Sequence, residues 1–132
     1  MEKIRKNRKK REAIAELLRQ TKEHPGADRI FTQLRGAHPD LSLATVYRNL
    51  AMFREEGAVA RVCTVNGQDR FDWDTSLHAH FVCDCCLAVI DIPSQQEFSR
   101  SYGIIESELG HVVQEHSLIY RGKCKECINK EA

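Results

Sequence analysis

Six cysteines and six histidines are spread unevenly through this chain, and one stretch, LHAHFVCDCC from Leu77 to Cys86, holds five of the twelve. Four cysteines form two matching pairs, Cys83-x-x-Cys86 and Cys124-x-x-Cys127. A C-x2-C turn aims two thiolates at one ion, and four thiolates complete the tetrahedral shell that structural Zn2+ takes. The 37 residues between the pairs exceed the gap of a simple zinc ribbon. A small domain must therefore bring the second pair back to the first. A thioredoxin-like redox motif would need a βαβ setting and would leave the second pair unexplained. Cys85 is a rival ligand within the first pair, but Cys83 and Cys86 reproduce the spacing of Cys124 and Cys127. Cys85 and Cys63 read as free thiols. Zinc here would staple a domain of roughly 55 residues, a size that core burial alone stabilises poorly.

The histidines suggest chemistry of a second kind. His78 and His80 are separated by the strand period of two, so their side chains can project from one face. That spacing permits joint coordination; an exposed polar pair is the plainer alternative. Two carboxylates add weight. Asp72 closes a hairpin, and Asp91 sits in the apolar run Ala88-Val-Ile-Asp-Ile92, where an unpartnered charge would be costly. A salt bridge to an arginine is the competing explanation. His24, before Pro25, reads equally well as a helix-terminal histidine. A mixed nitrogen and oxygen shell suits Fe(II), Mn(II) or Zn(II) better than a thiolate-seeking ion. The residues thus point to two centres: a closed cysteine one and an exchangeable one of histidines and aspartates.

Elements must hold these donors. Ala13, Ile14, Leu17 and Leu18 give a helical stripe over Arg5 to Thr21, broken at His24-Pro25-Gly26. A second helix is expected over Asp28 to Ala37. A third follows, capped by Ser42 and running through Val46, Leu50 and Phe53 to Glu56, with Gly57 beyond its end. Alternating runs over 58–65 and 69–72 flank Asn66-Gly67, a hairpin signal. Three helices and a hairpin describe a winged helix-turn-helix. In the second half, strands are expected over His80 to Cys83, Leu87 to Ile92 and His111 to Tyr120. A helix is expected over Ser94 to Leu109, weakened by Gly103, and a polar tail over Lys123 to Ala132. The expected class is α+β: a winged-helix domain over 1–73, a hinge over 74–78 where charge and pattern switch, and a small α/β domain over 79–132 with a four-cysteine zinc site.

Charge divides along the same line. Residues 1–70 hold fifteen Lys and Arg against nine Asp and Glu, whereas residues 71–132 hold five against ten. The overall charge of +1 hides a basic half suited to a polyanion and an acidic half suited to cations. Seven basic residues lie between Lys3 and Arg11. No run approaches the roughly 18 apolar residues of a membrane span, and the basic N-terminus has no apolar signal core. A cytoplasmic protein without membrane contact is expected, with its cysteines reduced or metal-bound.

The ordered set S-L-A-T-V-Y-R-N-L (Ser42 to Leu50), H-A-H-F-V-C-D-C-C and C-K-E-C resembles the ferric uptake regulator family of dimeric, metal-dependent bacterial repressors. The resemblance runs from His24 to Cys127 and is greatest to the peroxide-sensing branch. It implies zinc at Cys83, Cys86, Cys124 and Cys127. It also implies regulatory Fe2+ or Mn2+ at His24, Asp72, His78, His80 and Asp91. Asp91 stands where iron-uptake regulators usually carry glutamate and peroxide sensors carry aspartate. The implied function is repression relieved when peroxide, reacting at Fe(II), oxidises His24 or His78. An iron- or zinc-uptake repressor is the alternative. Two departures matter. Ala79 replaces an acidic residue common between the paired histidines, which leaves a further site at His116 doubtful, and Cys85 inside the knuckle is unusual.

For DNA, the start of the third helix supplies Thr45, Tyr47 and Arg48, while Leu43, Val46 and Leu50 face the core. Helix packing is the alternative for Tyr47. Lys9, Lys10 and Arg11, within the basic run, are expected to attract phosphates of a double-stranded operator. An enzyme is not expected, because a five-ligand shell leaves no open position for substrate. A zinc-stapled adaptor without a regulatory ion is the remaining class.

Overall fold

A computed structural model describes residues 1–76, 78–93, 100–114 and 116–131. The chain divides into two compact units, Met1–Thr75 and Ser76–Ala132. Among the described residues, no helix is long and apolar enough to cross a membrane.

The N-terminal unit is built on three helices, α1 (Glu2–Gln20), α2 (Ala27–Leu34) and α3 (Leu43–Glu55). Helix α1 begins three residues before the expected Arg5, because Lys, Arg and Glu are good helix formers without any burial. Its inner face carries Ile14, Ala15 and Leu18, all buried. Helix α2 stops before the expected Ala37; the His38 N–H returns to the Leu34 carbonyl at 2.9 Å and turns the chain toward α3. Ser42 caps α3, its Oγ accepting from the Thr45 N–H at 3.1 Å. Beyond the other end, the Ala58 N–H reaches the Phe53 carbonyl at 2.9 Å and the Gly57 N–H the Arg54 carbonyl at 3.1 Å. These paired bonds are the Schellman closure, which satisfies carbonyls the helix leaves open.

The wing is the antiparallel hairpin of β1 (Ala60–Val65) and β2 (Gln68–Asp72), with a bulge between Arg61 and Cys63. Asn66 and Gly67 both adopt positive φ, 52° and 78°, as its two-residue turn requires. Ile14, Ile30, Val46 and Leu50 form the centre of the core, with Phe53, Val59 and Phe71 around them. Phe53 meets Trp73 edge-on at 5.4 Å between centroids.

The C-terminal unit holds a three-stranded sheet in the order β4-β3-β5, from β3 (Ala79–Cys83), β4 (Val89–Ile92) and β5 (Ile119–Gly122). Strands β3 and β4 are antiparallel, which puts His80 opposite Asp91; β3 and β5 are parallel, which puts Cys83 beside Gly122. Two expectations change here. The strand over His111 to Tyr120 is reduced to Ile119–Gly122; the segment before it, with Val112 at 79% exposure, has too little burial to hold an extended pairing. The tail after Lys123 is not merely polar: it contains α4 (Lys125–Glu131), which turns the buried Cys127 inward. Of the expected helix Ser94 to Leu109, residues 94–99 lie outside the described residues. Residues 100–102 are helical and Gly103–Glu108 form a π-helical segment.

Candidate metal centres and nucleic-acid face

The four paired cysteines converge. Cys83 Sγ lies 3.7 Å from Cys127 Sγ, and Cys86 Sγ lies 3.7 Å from Cys124 Sγ. All four sulfurs fall within 4.8 Å of one another. Sulfurs at about 2.3 Å from a tetrahedral ion would stand about 3.8 Å apart, whereas a disulfide would bring them to about 2.0 Å. The set therefore fits a tetrahedral cation and not a pair of disulfides.

Local folding explains the convergence. The Cys83–Leu87 knuckle closes through the Leu87 N–H to the Cys83 carbonyl at 2.9 Å, and Leu87 takes the left-handed φ of 64° to do so. The N–H groups of Cys85, Cys86 and Cys124 all point at Cys83 Sγ at 3.4 Å. The bonds from Cys86 and Cys124 lead in lowering the Cys83 thiol to about 6, which favours the thiolate a metal needs. Burial, then the neighbouring sulfurs, push Cys127 the other way. Four crowded sulfurs do not all ionise without a cation. Cys85 is exposed and lies outside the set; Cys63 is buried in the wing.

In the same unit, His78 Nε2 and His80 Nε2 approach a single oxygen, Asp91 Oδ1, at 3.0 and 3.2 Å. Strand register makes this possible, since His80 and Asp91 are cross-strand partners. The other ring nitrogen of His78, Nδ1, lies 2.8 Å from the Ser76 carbonyl. A carbonyl only accepts, so Nδ1 carries a proton, which leaves Nε2 as the ring nitrogen that faces the carboxylate and could ligate a metal. A divalent cation satisfies three converging donors at once, whereas a proton serves one N···O pair at a time. These residues fit a borderline-hard ion.

The N-terminal unit carries a second group. His24 Nδ1 lies 3.5 Å from Asp72 Oδ2, and both residues are buried, at 2% and 6% exposure. The Asp74 N–H donates to Asp72 Oδ1 at 2.9 Å and orients that carboxylate. His24 is thus not a helix-end histidine; it sits in a turn of positive φ, 52°.

His116 accompanies neither group: its Nδ1 lies 2.8 Å from the Tyr102 hydroxyl.

Among the DNA candidates, Tyr47 is exposed at 48% and does not serve helix packing. Arg48 donates to Thr45 Oγ1 at 3.0 Å, and Thr45 Oγ1 lies 2.9 Å from Ser42 Oγ, so Thr45 faces the helix cap. Lys9 is exposed. Lys10 pairs with Asp40 at 3.3 Å, and Arg11 pairs with Glu56 at 2.7 Å while stacking 4.4 Å over Phe53. Both are engaged within the unit. A groove of about 590 Å³ between α1 and α3 is lined in part by Lys3, Asn7, Arg8 and Arg48. Lys3 and Arg8 were not singled out from the basic run. The helical period would have found them, because Lys3, Asn7, Arg8 and Arg11 recur at three- and four-residue steps along one side of α1.

Comparison with known proteins agrees with this architecture. The profile of the Ferric uptake regulator family matches residues 2–121. The peroxide operon regulator of Bacillus subtilis (strain 168) is 38% identical over 123 residues, covering 92% of this chain and 83% of that protein. The crystal structure of the Campylobacter jejuni peroxide stress regulator superposes with a TM-score of 0.77 at 27% identity, covering 92% of this chain and 91% of that one. The Francisella tularensis ferric uptake regulator solved with iron gives a TM-score of 0.72 at 27% identity, over 90% and 91% of the two chains. With a winged helix-turn-helix, four convergent thiols and paired histidines and carboxylates on the strands and turns described, the chain belongs to the ferric uptake regulator family.

Proposed function

We propose that the chain is a metal-dependent transcriptional repressor that senses peroxide and acts as a homodimer on a double-stranded DNA operator in the cytoplasm. The convergence of His78 and His80 on one oxygen of Asp91 carries the reading, because it is a half-shell that a divalent cation completes. His24 and Asp72 supply the second half-shell, so His24, Asp72, His78, His80 and Asp91 would hold one Fe2+ or Mn2+. Cys83, Cys86, Cys124 and Cys127 would hold Zn2+. The winged-helix domain is assigned to 1–73, the hinge to 74–78 and the dimerisation domain to 79–132. Large apolar side chains exposed on the C-terminal unit, among them Leu109, Val112 and Ile128, support a self-association surface. The names of the Bacillus subtilis and Campylobacter jejuni relatives support the peroxide signal.

In this reading the ligands of one half-shell belong to the winged-helix domain and those of the other to the dimerisation domain. Joint ligation favours one relative arrangement by differential affinity. In a dimer that arrangement sets the spacing of the two α3 helices, which must match half-sites about one turn of DNA apart, or a multiple of it. Tyr47 and Arg48 face bases or phosphates there, and Lys3, Arg8 and Lys9 take phosphates. When bound, Fe2+ would mediate cleavage of the peroxide O–O bond: one oxygen would be added to a neighbouring imidazole, which is the two-electron reductant overall, and the other would leave as water. His24 and His78 are the imidazoles assigned to that step. An oxidised ring is a poorer donor, the shared ligation fails, and the half-site spacing relaxes.

The test is operator binding by the Fe(II)-loaded and Mn(II)-loaded protein before and after low peroxide, with mass spectrometry of the His24 and His78 peptides. Release is expected with Fe(II) only, together with one added oxygen on either histidine. Release with neither ion would turn the assignment to a metal-uptake repressor.

A further inference from the structure

The turn that presents His24 is fastened to the wing at several points. The Phe71 N–H donates to the Pro25 carbonyl at 3.2 Å. Gly26 packs so closely on β2 that a Cβ there would stand 2.9 Å from the Asp69 carbonyl oxygen. Between these contacts, the half-buried Arg70 reaches back across 46 residues, its Nε donating to the His24 carbonyl. The same guanidinium donates through Nη2 to the Glu23 carbonyl at 2.8 Å. Two consecutive carbonyls thus sit in one planar fork. They belong to a residue with φ of 52° and its predecessor, a conformation that costs a non-glycine residue energy unless its surroundings hold it.

We propose that Arg70 is the positioning residue for His24: its guanidinium fork locks the left-handed turn that presents the imidazole to Asp72, and so ties that ligand to the wing strand. The ligand part of this inference rests on the function proposed above. Asp72, two residues along β2 from Arg70, is the partner presented, so one short strand carries both the clamp and the carboxylate. Lysine would keep the charge but not the planar, two-pronged geometry that suits a pair of adjacent acceptors. Groups that support a metal ligand from behind typically change metal affinity by about 10- to 100-fold when removed.

The experiment compares Arg70→Met, Arg70→Lys and His24→Ala with the unaltered chain, all zinc-loaded. Without regulatory metal, the His24 ring resonances and the exchange rate of the Phe71 amide are read by NMR. Arg70→Met is expected to shift the His24 ring signals and raise Phe71 exchange about tenfold, while amides at the core centre, such as Leu50, keep their protection. Arg70→Lys is expected to fall between the two. Mn(II) affinity should drop about tenfold in Arg70→Met. Unchanged ring signals and Phe71 exchange in a folded Arg70→Met protein would overturn the proposal. So would loss of protection throughout the unit, which marks Arg70 as merely structural, or full rescue by Arg70→Lys, which removes the fork. If Arg70→Met does not fold, Arg70→Lys decides by the same signals. If His24→Ala binds Mn(II) as tightly as the unaltered chain, the ligand assignment fails, and the metal-free signals still judge the clamp.

Discussion

Cys83 and His80 lie three residues apart on one strand, yet they belong to donor sets of opposite design. The thiol set is assembled wholly within the C-terminal unit, has three of its four cysteines buried, and adds three backbone N–H groups around one sulfur. The nitrogen and oxygen donors come as two groups, one in each unit, and the Asp91 side chain is 37% exposed. A closed set made from one body retains its ion and holds that body together. In the function proposed above, donors supplied as two separate groups would give an ion that exchanges, so that its occupancy acts as a signal. The difference lies in where the donors sit along the chain as much as in sulfur against nitrogen.

The sharpest way to break this contrast is Cys127→Ser. Loss of zinc with disappearance of the C-terminal unit's cooperative melting is expected, with the transition of the N-terminal unit retained; calorimetry and metal analysis check it. Persistence of both transitions without zinc would make the thiol set dispensable. Leu50→Ala probes the opposite body. A buried leucine truncated at the core centre should cost about 2–5 kcal/mol. Denaturant unfolding should show that loss with zinc content unchanged. His80→Ala removes one donor of the exchangeable set and should weaken Mn(II) about 100-fold, or about 2.7 kcal/mol, without loss of zinc. Competition titration measures it, and equal loss of both metals would erase the distinction between the sets. Smallest is Ser42→Ala. Removing the α3 cap should destabilise the N-terminal unit by about 1 kcal/mol. Metal affinity at either set should not move, and a shift in Mn(II) binding would tie the cap to the exchangeable set.

Legibility in the sequence followed the range of the interactions. Ser42 and Asn66-Gly67 announce a cap and a turn because their chemistry is local, and α3 and the wing appear where they were expected. The two C-x2-C pairs state their geometry through spacing, and the sulfurs converge. His78, His80 and Asp91 were readable as candidates, but only the β3–β4 register brings both rings onto one carboxylate oxygen. Helix α4 escapes a sequence reading because seven residues are too few to show a helical period or to hold a helix alone; the buried Cys127 anchors it. Arg70 gave no signal at all, since its partners are main-chain carbonyls 46 and 47 residues away. Lys10 and Arg11 look like free phosphate contacts in the sequence, yet acidic partners on distant elements engage them.

The parallel pairing of β3 with β5 has a consequence for the order of assembly. A hairpin between adjacent strands closes a short loop, whereas a parallel partner drawn from across the connecting segment must overcome a larger closure entropy. The β3–β4 hairpin, with Cys83 and Cys86 at its tip, should therefore form first during refolding and offer a bidentate seat. Arrival of β5 then delivers Cys124 and Cys127 together, so capture of the ion and completion of the sheet become a single late event.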